Sequence, residues 1–140
     1  MQNKLKEAAY KAGRALWKAL PMLLGTILLV SLITTLIPKS FYTKIFQGNI
    51  IDLLIGSIIG SISTGNPITS YILGGEFLKQ GVSLIAVTSF IVAWVTVGII
   101  QLPAESAILG KKFALLRNLT AFLLSMIVAL ITILILNLII

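Results

Sequence analysis

The sequence predicts an all-α integral membrane protein of about three full transmembrane helices plus a broken-helix or re-entrant hairpin, with an N-terminal amphipathic helix in front. Three observations carry this. Hydrophobic residues make up 58% of the 140-residue chain and charged residues only 11%, too few to wet the surface of a soluble domain of that size. The apolar residues fall in long runs, giving a mean hydropathy of +1.08. The runs are interrupted by SISTGNPITSYILGGE at 61–76, and irregular backbone survives in hydrocarbon only where protein or a water-filled cavity surrounds it.

The chain divides by composition into an interfacial segment, 1–19, and a single transmembrane domain, 20–140. In the first, Leu5, Ala9, Ala12 and Leu16 share a helical face, while Lys4, Lys6, Lys11, Arg14 and Lys18 supply charge and Trp17 suits the headgroup level. The net charge is +7. Because the bases flank apolar spans, an anionic lipid surface is the expected partner rather than nucleic acid. The apolar run that follows is too long for a secretory signal, and no small-residue cleavage site ends it.

Residues 20–37 form the first expected span, closed by Pro38, and 38–49 an interfacial loop with aromatics. IIDLLIGSIIGSIST, 50–64, would reach only ~22 Å as a helix, short of a ~30 Å hydrocarbon core. Gly65-Asn66-Pro67 then breaks the pattern, since proline disfavours helix for the residue before it and glycine permits unusual dihedrals. ITSYILGGEFL, 68–78, resumes for ~16 Å. Residues 82–100 read as a full span, 101–118 as a polar connector and 119–140 as the last span.

Two half-length segments make either one interrupted crossing or a hairpin that enters and leaves on one side. The bias of Lys and Arg towards the cytoplasmic face chooses between them. With a cytoplasmic N-terminus, a hairpin leaves eight bases inside and Lys39, Lys44 and Lys79 outside. A full crossing divides the bases six against five. The hairpin is the expected topology of a multi-pass protein of the cell membrane.

Chemistry is expected at the breaks. A half-helix starting after a break presents free N–H groups, while the one ending before it presents carbonyls, so a broken helix can hold an ionic or polar solute. Ser63, Thr64, Gly65, Asn66, Pro67, Thr69 and Ser70 form the first break, and Gln101 and Pro103 the second. Glu76 and Glu105 are the acids placed to couple a proton or cation, because an ionisable group at membrane depth is a functional hypothesis by default. Asp52 stands near a helix start, where its charge suits the dipole. Gly56 and Gly60 form a GxxxG face for helix packing, either within the chain or between subunits. The sequence has no cysteine or histidine and only four acids. It holds no phosphate-binding glycine loop and no serine with a base partner, so neither an enzyme, a metal site nor a cofactor is expected.

The run GNPITSYILGGEFLKQGVSLIAVTSFIVAWVTVGIIQLPAESAILGKKFALLRN resembles one repeat of the predicted permease family that includes the organoarsenical efflux permeases. The likeness covers roughly residues 50–118 and extends loosely into the last span. It lies in the order of features: a Pro-bearing break among small residues, a return segment ending near Gly81, a long span, then a Pro/Glu turn before LGKKFALLRN. Arsenical-transporting relatives carry cysteines in the first break, where this chain has Ser61, Ser63 and Thr64, so the resemblance does not extend to thiolate capture of arsenic. It implies a permease that moves a small polar or ionic solute. Typical members hold two such halves, so a half-size chain implies a homodimer or a similar half-size partner. A passive channel and a non-transporting membrane subunit are the alternatives.

Overall fold

The computed structural model describes residues 2–63 and 66–139, and among them the chain is helical with no strand. The helices are α1 (Gln2–Leu36), α2 (Lys39–Ile45), α3 (Ile50–Ile62), α4 (Pro67–Lys79), α5 (Leu84–Thr96), α6 (Leu102–Leu109) and α7 (Lys111–Ile139). The all-α membrane class stands. Two helices, α1 and α7, are each long and apolar enough to cross a bilayer alone. The chain divides into two compact units, one ending at Leu36 and the other starting at Ile37.

The first unit is the single helix α1. The amphipathic segment and the first apolar span, read as separate elements, share one unbroken helix with Pro21 inside it. A proline in an apolar helix removes one backbone bond, yet breaking the helix in hydrocarbon would strand several more. The 38–49 loop holds the short helix α2, which meets α3 at 116°.

The second unit is built on α5, against which α3, α4 and α7 all pack. α3 runs alongside α5 in the same direction. Asp52 meets Ser83 where the two helices begin, Gly56 lies against Ala86 and Ser89, and Gly60 against Phe90 and Ala93. A Cβ at Gly56 would overlap the Ala86 carbonyl oxygen, and one at Gly60 the Phe90 carbonyl oxygen. The GxxxG face is therefore the intrachain seam, where the missing side chains let two backbones touch.

α4 runs the opposite way. Pro67, at its start, lies beside the end of α5. Gly74 packs on Val87 and Ile91. Near its end, the Phe77 carbonyl accepts the Val82 N–H at 3.0 Å. Thus 50–79 goes out along α5 and returns, each leg 13 residues, or ~20 Å. Lys79 comes back to the end that carries α2, where Gly81 touches Thr43. Gly81 turns the chain there with φ +92°, a conformation that costs other residues dearly.

The expected span at 82–100 is instead the 13-residue α5, again ~20 Å. It stops at Thr96 because the Gly98 N–H, which a continuing helix would place on the Trp94 carbonyl, donates to Asn118 Oδ1 at 2.8 Å. The connector expected at 101–118 is α6 plus the first two turns of α7. Gly110, at φ +90°, separates those two helices. Lys111 and Lys112 lie in the first turn of α7, one end of the unit, while Lys39, Lys44 and Lys79 belong to the other.

Candidate functional site

Both sequence breaks come to the same place. α3 and α5 run parallel and end side by side, and α4 and α6 begin there, each with a proline in its first turn, Pro67 and Pro103. A cavity of about 230 Å³ opens there, lined by Pro67, the stretch Trp94–Gly98, Gln101 and Arg117. The end of α5, the start of α4 and the turn leading into α6 thus face a common space, so carbonyls and N–H groups of helix ends are close together.

Local chemistry explains how each break is held. Asn66 caps α4, its Oδ1 accepting the Ile68 N–H at 2.9 Å; proline follows at the position where its missing N–H costs nothing. Ser70 is fully buried and donates to the Pro67 carbonyl at 2.7 Å. Ser63 donates back to the Ile59 carbonyl at 2.8 Å. The Thr69 hydroxyl and the Trp94 indole N–H are buried with no partner among the described residues. Thr64 and Gly65 lie outside the described residues.

The second break is held by a charged hub that joins α5, α6 and α7. Glu105 pairs with Arg117. Arg117 Nη2 reaches on to the Thr96 carbonyl at 3.2 Å. Asn118 is buried; its Nδ2 donates to the Ala114 carbonyl at 3.0 Å and to Glu105 Oε2 at 3.3 Å, and its Oδ1 takes the Gly98 N–H. Each group therefore fixes another, and the hub clamps the end of α5 to α7. Gln101 caps α6 without a side-chain bond of its own and is exposed at the cavity. Pro103 is exposed beside it and lines a separate shallow recess with Leu102, Lys111 and Leu115.

Glu76 is not part of this cluster. It lies nine residues beyond Pro67, ~13 Å along α4, and binds Lys79 Nζ at 3.2 Å and Gln80 Nε2 at 3.4 Å. Asp52 is at the same far end, 1% exposed, where it accepts from Ser83 Oγ at 2.5 Å and the Gly48 N–H at 2.7 Å. It sits in the first turn of α3 beside the start of α5, so two helix N-termini favour its charge.

Arg117 and Asn118 are the residues that reading the sequence missed. Arg117 falls inside the stretch 101–118 expected as a polar connector, although the apolar run FALL before it and the span after it mark a helix interior. A guanidinium followed by an amide within such a run is the signal for a paired, inward-facing group. No group of three or more Asp and Glu residues among the described residues could hold a metal ion.

Residues 4–137 match a family model described as a predicted permease. No curated protein matches the chain, and no solved structure does.

Proposed function

The chain belongs to this predicted permease family, and on that premise we propose a permease that moves a small polar or ionic solute past the paired helix breaks. The observation that carries the reading is that Pro67 of the first break and Gln101 of the second line one cavity, with the Arg117 guanidinium in its wall. A solute there finds a cation, an amide and unpaired helix ends within reach. Asn66, Ser63 and Thr69 belong to the same break as Pro67, and in this reading they contact the solute as it passes. Glu105, paired to Arg117, is the acid that would exchange a proton or cation with the site. Glu76, at the other end of α4, is left to local pairing.

The working unit in this reading is a homodimer, the second copy supplying the other set of paired breaks. Single-molecule photobleaching in lipid should show two steps per particle, and single steps throughout would sink the dimer. The transport reading is tested with proteoliposomes and a panel of labelled small anions and zwitterions. Saturable flux with exchange is expected for at least one of them, and Gln101→Ala should lower it about tenfold, the equivalent of ~1.4 kcal/mol. Unsaturated flux would instead favour a channel.

In this reading 50–79 is re-entrant, entering and leaving on one face of the membrane. The return of Lys79 to the end that carries α2 supports it. Cysteines placed at Lys44 and Lys111 should then be labelled by an impermeant reagent from opposite faces. Labelling of both from the same face would refute the topology.

A further inference from the structure

We propose that the solute is a small, singly charged oxyanion, and that it travels with one proton because it competes with Glu105 for Arg117. This rests on the permease reading and adds what is carried and in what ratio. Arg117 lines the cavity at the helix breaks and Glu105 does not. The acid is the more deeply set of the two, 17% exposed against 36%, so an entering solute meets the guanidinium first. Arg117 gives one N–H to Glu105 through Nη1 and one to the Thr96 carbonyl through Nη2. A guanidinium carries more donors than these contacts use, and its flat fork fits the paired oxygens of a carboxylate, sulfonate or phosphonate.

Charge sets the ratio. The empty site is neutral, one carboxylate against one guanidinium. An oxyanion added alone leaves a net negative charge among helices in a bilayer, where an uncompensated charge is expensive. One proton taken from the water by the Glu105 carboxylate restores neutrality and releases Arg117 to the solute. Asn118 Nδ2, 3.3 Å from Glu105 Oε2, keeps the neutral acid in place. When the solute leaves, Arg117 returns to the carboxylate and the proton goes to the water on that side. No neighbouring group can stand in. Glu105 is the one acid in 77–140. Asp52 and Glu76 lie at the ends of α3 and α4 away from the breaks. On α7, Lys111 and Lys112 are exposed in the first turn, and α5 brings no charge.

The test uses proteoliposomes of the full chain with labelled methanesulfonate and isethionate, and labelled ethylammonium as the opposite charge. Neither sulfonate holds a proton of its own near neutral pH, so any proton that moves with it is carried by the protein. Saturable sulfonate uptake should be driven by a pH gradient, acid on the side of entry. It should reach about tenfold accumulation per pH unit, the value for one proton per anion. A clamped membrane potential of either sign should not change it, because the empty and loaded sites are both neutral. Glu105→Gln leaves the empty site positive, so uptake should persist, lose its response to pH and respond to the potential instead. Glu76→Gln alters only local pairing with Lys79 and Gln80 and should keep the wild-type coupling. A folded Glu105→Gln protein without uptake at any pH would mean that the pair only holds helices together, and would overturn the proposal. If that variant does not fold, the wild-type response to the gradient decides alone. Sulfonate uptake indifferent to the gradient, or saturable uptake of ethylammonium and of neither sulfonate, would also overturn it and leave the permease reading standing. No saturable uptake of any small solute would remove both.

Discussion

Gly56→Ala is expected to destabilise the second unit by about 3 kcal/mol or more, the upper end of what overpacking costs. The new methyl would fall on the Ala86 carbonyl oxygen and the Ser89 hydroxyl oxygen. A flexible side-chain end could swing aside, but a backbone carbonyl inside a helix cannot move without carrying the helix with it. α3 and α5 would have to separate along the seam, taking Gly60, Ser57 and Ser61 out of contact. Gly75→Ala is the control. It stands in α4 with nothing near the position of a Cβ, so alanine there should leave stability unchanged or raise it by about 0.5–1 kcal/mol. Thermal unfolding of both variants in one detergent makes the comparison. Equal melting temperatures would show that the two backbones are not held together at Gly56.

Asn118→Leu carries the second large effect, and it reaches both stability and transport. Leucine keeps the branching of asparagine but is bulkier, and it can neither accept from Gly98 nor donate to Glu105. The half-buried Gly98 N–H loses its partner, which costs about 1 kcal/mol, the low end for an unsatisfied group. The end of α5 is then no longer fixed against α7, and the cavity wall at 94–98 loses its shape. Solute flux in proteoliposomes should fall tenfold or more while the protein still inserts and remains helical. Arg117 still holds the Thr96 carbonyl, so the helix end is loosened rather than released. Wild-type flux from the leucine variant would mean that Asn118 does not set the geometry of the path.

Which features the sequence made legible depends on how far apart their causes lie along the chain. The first break is written locally. Asn66 caps the helix it precedes, Pro67 occupies its first turn, and short flanking runs give half-length helices, so two adjacent positions and their surroundings announce the structure. The halt of α5 at Thr96 has no such local sign. VTVGII continues an apolar pattern, and what stops the helix is an amide oxygen twenty residues later. The start of α7 was hidden for a different reason. Lys111, Lys112 and Arg117 look like loop charges, yet the lysines occupy an exposed helix start and the arginine is spent on Glu105. Glu105 and Gln101 were legible as polar residues near a proline, but Arg117 and Asn118, the partners of Glu105, were not. Glu76 had the same sequence character as Glu105, and only the fold separates them, because α4 carries it away from the breaks.

The glycine seam also determines which motions are open to this protein. Sliding α3 by one turn along α5 towards the helix breaks would bring Asp52 to the place where Gly56 now meets a carbonyl, so shear in that direction is blocked by side-chain bulk. Helices locked in this way travel together, as one strut. Any opening and closing of the path must then leave this pair intact and fall on the elements packed around it.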